Sequence, residues 1–145
     1  MITDQTSILI LCTGNSCRSQ MAEGFLKAFN KDLIVHSAGT KPSKQVHLNA
    51  VKVMNKLGVD LSNNYPKMVD EFIDRNFDYV ITVCGDAEEN CPIFTGKVKT
   101  HLHIGFEDPD KVIGTKEEIL SEFRRIRDEI LSAFFAFYQK KICNK

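Results

Sequence analysis

The chain has 145 residues, of which 43% are hydrophobic and 26% are charged, and its formal net charge is zero. These values are typical of one soluble globular domain, so we expect residues 1–145 to form a single domain. The absence of a basic stripe and of a long apolar run argues against nucleic acid and membrane as partners. The first residues lack the features of a signal peptide, so we expect a cytoplasmic protein, and we expect it to be monomeric.

The spacing of apolar residues predicts strands and helices in alternation along the chain. The predicted strands span residues 7–11, 33–37, 79–83 and 98–104. The predicted helices span residues 18–29, 46–57 and 68–73, and a long fourth helix begins after a capping box at Thr115–Glu118. This order predicts an α/β fold with right-handed crossovers, in which helices cover both faces of a four-stranded parallel sheet as a three-layer αβα sandwich.

A loop of small and polar residues joins the first strand to the first helix; we call residues 12–18 the anion loop. Unpaired backbone N–H groups at the helix N-terminus favour a bound anion, and Gly14 lets the backbone approach it closely. Arg18 supplies a planar guanidinium suited to a tetrahedral oxyanion, and the positive field favours the nucleophilic thiolate of Cys12. The predicted substrate-binding residues are Thr13, Gly14, Asn15, Ser16, Cys17, Arg18 and Ser19.

Three reactive side chains follow predicted strands, namely Cys12, Cys84 and Asp108. Because ligands bind at the carboxyl ends of parallel strands, we expect these residues to converge on one site. Asp108 is a candidate general acid. The alternative for Asp108 is a turn residue, since Asp-Pro often begins a turn.

Five cysteines in a chain without a secretion signal favour reactive thiols over a disulfide framework, and no zinc-ligand spacing predicts a metal site. Cys84 and Cys91 are separated by a polar segment and can meet only if that segment loops out, because disulfide formation needs Cα atoms within about 7 Å. They suit a relay in which Cys84 attacks Cys12 and Cys91 then attacks Cys84, which would serve a reduction. The alternative is a pair of unrelated structural cysteines.

Three motifs, at residues 12–19, 83–92 and 105–109, together resemble those of the thioredoxin-coupled arsenate reductases, which share the fold of low-molecular-weight protein tyrosine phosphatases. The resemblance implies that Cys12 attacks arsenate held by backbone amides and Arg18, with Asp108 as the general acid. It also implies successive Cys12–Cys84 and Cys84–Cys91 disulfides, no bound cofactor, and thioredoxin as the electron donor. Ser19 is implied to donate a hydrogen bond to the Cys12 thiolate, and Asn15 to hold the shape of the loop.

Some relatives bind potassium beside the loop through residues matching Asn15, Glu23 and Ser37 and an acid near residues 65–67. Lys67 brings a cation to that region, so we expect no metal site. Two other functions remain open: a tyrosine phosphatase that hydrolyses a Cys12 phospho-intermediate, and a cysteine-based redox sensor. Residues 110–112 lack the tyrosines with which that phosphatase family flanks an aromatic substrate, and a glutaredoxin or mycothiol donor is an alternative to thioredoxin.

Overall fold

The computed structural model describes residues 5–85 and 93–143, and four parallel strands form its centre. The strands are β1 (Ser7–Cys12), β2 (Ile34–Gly39), β3 (Asn76–Thr82) and β4 (Lys97–His103), in the order β2-β1-β3-β4. The continuous apolar run of β1 explains its inner position, since all of Ile8 to Leu11 is inaccessible to solvent. The predicted α/β class and the four-stranded parallel sheet are confirmed.

Three α-helices follow the predicted order: α1 (Arg18–Phe29), α2 (Leu48–Asn55) and α3 (Lys116–Phe137). Short 3₁₀ helices span Val69–Phe72 and Pro109–Lys111, and a π-helical segment, Tyr138–Cys143, continues α3. The capping box that begins α3 is confirmed, because Glu118 N–H donates to Thr115 Oγ1 over 3.1 Å and Thr115 N–H donates to Glu118 Oε1 over 3.0 Å. The apolar stripe of α3 is buried at Phe123, Ile126, Ile130, Phe134 and Phe137.

The alternation of side chains along β1 divides the core into two layers. Ile8 and Ile10 pack on the side where the three α-helices lie. Leu9 and Leu11 face the opposite side, in a smaller cluster that contains Phe72, Phe77 and Phe94. Both faces of the sheet are therefore covered, as predicted, although a 3₁₀ helix rather than an α-helix contributes Phe72 to the second face.

The main difference from the predicted elements is the start of β3, which begins at Asn76 rather than at Tyr79. Asn76 and Phe77 pair with Lys97 and Val98 of β4, and Phe77 is 3% exposed. The polar residues around Phe77 hide this extension from a search for continuous apolar runs.

The parallel sheet brings the carboxyl ends of its strands to one edge, where the reactive residues lie. Cys12 ends β1, Cys84 follows β3, and Asp108 follows β4 after a short loop. Among the helices in residues 5–85 and 93–143, none combines the length and the apolar character needed to span a membrane.

Candidate active site

The anion loop lines a cavity of about 620 Å³ at this edge of the sheet. Every residue from Cys12 to Arg18 contributes to the cavity wall, and the other lining residues are Thr40, Lys41, Ser43, Asp108, Asp110 and Lys111. Ser19 does not line the cavity and lies fully buried beneath the loop. The hydroxyl oxygen of Thr13 is buried in the wall and has no hydrogen-bond partner among the described residues.

The side chain of Asn15 holds the loop from inside. Asn15 adopts a left-handed backbone conformation with φ of 50°, which asparagine tolerates better than most residues, and it is fully buried. Its Nδ2 group donates to Ser19 Oγ over 2.8 Å and to Ser37 Oγ over 2.9 Å. Its Oδ1 atom accepts from the backbone N–H of Lys67 over 2.9 Å and from Gln20 Nε2 over 3.1 Å. The amide thereby ties the loop to β2, to α1 and to the segment that precedes the first 3₁₀ helix.

These bonds fix the orientation of two serine hydroxyls. Because Ser37 Oγ accepts from Asn15, its proton is available to Glu23, whose Oε1 atom lies 2.6 Å away. Ser19 Oγ likewise accepts from Asn15, so its own proton points to a different acceptor. The buried amide therefore determines which way the Ser19 hydroxyl donates.

Arg18 is the first residue of α1, and only 4% of it is exposed. Its Nη1 atom donates to the carbonyl oxygen of Phe106 over 2.9 Å, and its Nη2 atom lies 3.7 Å from Asp108 Oδ2. The carbonyl bond holds the guanidinium in place at the cavity wall. A fixed cation and a carboxyl group thus lie side by side within reach of the same bound anion.

Asp108 combines the two roles that the sequence left open, a residue that begins a turn and a carboxyl group directed to the site. Its Oδ1 atom accepts from the backbone N–H of Asp110 over 3.0 Å and caps the 3₁₀ helix Pro109–Lys111, as expected of a residue that begins a turn. Its Oδ2 atom faces Arg18, and the side chain is 21% exposed. One oxygen therefore holds the turn while the other is directed to the site.

Cys84 is brought close to the site but not into the cavity. Val83 donates its N–H to Leu11 of β1 over 3.0 Å, and Phe106 donates its N–H to the Val83 carbonyl over 3.2 Å. Cys84 is 2% exposed, belongs to the same apolar cluster as Cys12, and is not among the cavity-lining residues. A Cβ atom at Gly85 would collide with the carbonyl of Phe106, so the chain after Cys84 passes tightly against the loop after β4.

The structure thus gathers Cys12, Arg18 and Asp108 around one cavity, with Cys84 buried behind it. Cys91 lies outside the described residues, and so does any Cys84–Cys91 contact.

Cys17 also lines the cavity, but its thiol is poorly suited to attack. It is 5% exposed, and burial, which disfavours the charged thiolate, raises the pKa of Cys17 from 9.0 to about 12. The Ser16 hydroxyl, 3.7 Å from the sulfur, opposes this shift only in part. Cys17 is therefore a neutral thiol at physiological pH.

The residues that match a potassium site are already engaged with one another. Glu23 accepts from the Ser37 hydroxyl on one oxygen and from Lys27 Nζ over 2.8 Å on the other. The Nζ atom of Lys67 donates to the Tyr65 carbonyl over 3.1 Å, and burial lowers the pKa of this lysine. These oxygens already face protein donors and two ammonium groups lie beside them, so the residues do not fit an alkali cation.

Within residues 5–85 and 93–143, no cluster of three or more His, Cys, Asp or Glu side chains is arranged to hold a metal ion.

Sequence reasoning missed one pair at the rim of the site, His47 and Asp110. The His47 Nε2 atom lies 3.0 Å from Asp110 Oδ1. Lys41 and Lys111 also line the cavity without having been predicted. Their positions depend on which loops meet above the sheet, and no local motif signals such a meeting.

Comparison with known proteins agrees with the resemblance seen in the motifs. The family model described as low molecular weight phosphotyrosine protein phosphatase matches residues 7–143. An arsenate reductase of Shouchella clausii is 48% identical over 124 residues, which cover 85% of this chain and 88% of the relative.

Two solved structures extend the comparison to the fold. One described as an arsenate reductase in the phosphate binding state has a TM-score of 0.78 at 29% identity, covering 94% of this chain and 98% of the other. A thioredoxin-dependent arsenate reductase of Corynebacterium glutamicum has a TM-score of 0.60 at 26% identity. The match covers 94% of this chain and 65% of the Corynebacterium chain. The predicted family and fold are confirmed.

The raised pKa of Cys17 predicts slow and pH-dependent alkylation. Because only the thiolate reacts, iodoacetamide should label Cys17 at a rate that rises about tenfold per pH unit and does not level off below pH 10. Peptide mass spectrometry measures the rate, with the exposed Cys143 as the internal reference for an accessible thiol. A rate that levels off between pH 7 and pH 9 would show that the Cys17 thiolate is not destabilised by burial.

Because the oxygens of Glu23 already accept hydrogen bonds from protein groups, we predict that potassium does not stabilise the fold. A cation present at 100 times its dissociation constant would stabilise the native state by about 2.7 kcal/mol and raise the melting temperature by several degrees. We expect equal melting temperatures in potassium and sodium chloride at the same ionic strength. The variant Lys67→Met removes one ammonium group while keeping a side chain of similar length. A melting temperature that is higher in potassium than in sodium for this variant alone would show that the Lys67 ammonium competes with potassium. A melting temperature that is higher in potassium than in sodium for the unmodified protein would contradict the conclusion that these residues do not bind potassium.

Proposed function

This chain belongs to the low-molecular-weight phosphotyrosine protein phosphatase family, and we propose that it uses the family's anion site to reduce arsenate to arsenite. The observation that carries this proposal is the place of Cys84, buried in the same cluster as Cys12 at the end of the neighbouring strand. Hydrolysis by water has no use for a second thiol behind the nucleophile, whereas reduction requires one.

The cavity provides the interactions that a tetrahedral oxyanion needs. Backbone N–H groups at the N-terminal end of α1 and the guanidinium of Arg18 supply positive charge, and Lys41 and Lys111 add to it at the rim. Arsenate therefore lies against the loop with its central atom above the Cys12 sulfur.

The first step forms a bond between Cys12 Sγ and arsenic. One As–O bond breaks, and Asp108 donates a proton to the departing oxygen from the position beside Arg18. General-acid catalysis of this kind contributes typically about 10²–10⁴-fold to the rate. The Ser19 hydroxyl, whose oxygen accepts from Asn15, donates a hydrogen bond to the Cys12 thiolate before the attack and keeps its proton.

The second step moves two electrons to arsenic. The Cys84 thiolate attacks Cys12 Sγ, the S–As bond breaks with its electron pair left on arsenic, and arsenite departs while a Cys12–Cys84 disulfide forms. The third step is the attack of Cys91 on Cys84, which releases the Cys12 thiol and leaves a Cys84–Cys91 disulfide. A dithiol donor then reduces this disulfide and restores the starting state.

We assign the donor role to thioredoxin, because the final disulfide calls for a dithiol reductant and a thioredoxin-dependent arsenate reductase shares this fold. No bound cofactor is needed, since the cysteines carry the electrons. A relay of this kind operates in a reducing compartment, so we place the protein in the cytoplasm. A monomer suffices for the first step, because one chain supplies the described cavity.

Phosphate monoester hydrolysis is the second candidate, favoured by the family model. A Cys12 phospho-intermediate would form in the same loop, with Asp108 acting first as acid and then as base. Asp110, Lys111 and Val112 after the Asp108–Pro109 turn offer no aromatic wall for an aryl substrate. We therefore expect only weak activity on aryl phosphates.

The relay predicts that three cysteines are each needed for repeated turnover. Arsenate-dependent NADPH oxidation with thioredoxin and thioredoxin reductase should be abolished by Cys12→Ser, Cys84→Ser and Cys91→Ser. Cys143→Ser is the matched control, because this exposed thiol lies at the far end of α3, and it should retain full turnover. Turnover that survives both Cys84→Ser and Cys91→Ser would exclude the relay.

A further inference from the structure

We propose that His47 is a positioning residue that holds the general acid Asp108 in place through Asp110. This inference rests on the proposed function only for the role of Asp108 as general acid. The contacts between His47, Asp110 and Asp108 are observed in the structure whatever the reaction is. The three residues lie on two segments far apart in the sequence, the start of α2 and the turn after β4, which we call the acid turn (residues 108–111).

His47 is fixed on three sides before it meets the acid turn. Its backbone N–H donates to the carbonyl of Ser16 in the anion loop over 2.9 Å. Its Nδ1 atom accepts from the backbone N–H of Asn49 over 3.0 Å and caps α2. Its ring packs on the buried ring of Phe123 from α3, with the centroids 4.7 Å apart. The imidazole is therefore a rigid attachment point beside the site.

These contacts also determine the tautomer of His47. Because Nδ1 accepts a hydrogen bond from a backbone N–H, the ring proton lies on Nε2. Nε2 then donates to Asp110 Oδ1, which is 3.0 Å away. The neutral ring serves as a directed donor to the acid turn.

The contact with Asp110 continues to Asp108. Asp110 N–H donates to Asp108 Oδ1 over 3.0 Å, and the other oxygen of Asp108 faces Arg18. The acid turn is a single 3₁₀ turn in which Pro109 is buried, whereas 58% of the Asp110 side chain is exposed, so Asp110 has little packing of its own beyond the contact with His47. His47 thereby links the loop that binds the anion to the turn that carries the acid.

A misplaced acid is costly because proton transfer needs close alignment. A displacement of about 1 Å can cost about 10²-fold in rate. Loss of the His47 contact leaves Asp108 present but less well aligned. We therefore expect a fall in kcat of about tenfold, which is smaller than the about 10²–10⁴-fold that a general acid contributes in full. Binding of the oxyanion should be unchanged, because the loop amides and Arg18 are untouched.

Two substitutions separate positioning from a merely structural role. His47→Gln keeps an N–H donor at the distance of Nε2 but is a poor helix cap, whereas His47→Asn is a good cap but too short to reach Asp110. We expect His47→Asn to lower kcat about tenfold with the inhibition constant of sulfate unchanged, and His47→Gln to restore most of the rate. The same kcat in both variants, or a faster His47→Asn enzyme, would overturn the proposal.

The double variant with Asp108→Asn tests whether His47 acts through the acid. In that background His47→Asn should cost no further activity, while an independent role would multiply the two losses. Asp110→Ala removes the same contact from the other side and should match His47→Asn, which keeps the test open if one variant folds poorly.

Failure of the proposed function would be seen separately, as absence of arsenate turnover in the unmodified enzyme. In that case the same variants are compared on phenyl phosphate hydrolysis, where the leaving oxygen also takes its proton from Asp108. The expected order of rates, with His47→Gln above His47→Asn, is the same for both reactions, and its reversal on the active substrate would overturn the positioning role.

Discussion

The side-chain amide of Asn15 lies in the anion loop and uses both of its polar atoms to bond residues outside the loop. The geometry of the site depends on these hydrogen bonds. A buried polar group that loses its partner costs about 1–3 kcal/mol, so the loop cannot move away from Ser19 or Ser37 without a penalty. The left-handed backbone at this residue turns the chain sharply between Cys12 and α1. The loop is consequently shaped before any anion arrives, which is what electrostatic catalysis requires.

Around this fixed loop the molecule separates binding from redox chemistry. In the proposed mechanism the oxyanion contacts come from the end of β1, from the first turn of α1 and from the cavity rim. Cys84 instead follows β3, where its buried sulfur shares the core with Cys12. In the proposed relay the first disulfide forms inside this core.

Patterns of neighbouring residues were enough to predict the strands, helix starts and caps that depend only on short stretches of sequence. The apolar run of β1, the helix that begins at Arg18 and the Thr115–Glu118 capping box each depend on neighbouring residues, and each lies where it was expected. The convergence of Cys12 and Asp108 followed from a general property of parallel sheets.

Features that depend on long-range contacts were beyond such patterns. The His47–Asp110 contact joins residues from two loops, and nothing near either residue distinguishes it from an ordinary surface polar group. The pKa of Cys17 likewise follows from burial against the core and not from its place in the motif. Part of β3 was missed because Phe77, its buried anchor, stands between polar neighbours.

The anion loop and Cys84 are proposed to carry out the reduction together, and a single turnover of the Cys91→Ser variant tests whether they do. Without the third thiol the relay should stop after its second step. Mixing this variant with excess arsenate should release one equivalent of arsenite per protein and leave a Cys12–Cys84 disulfide detectable by mass spectrometry. Absence of arsenite, or arsenite released without that disulfide, would exclude reduction by Cys12 and Cys84.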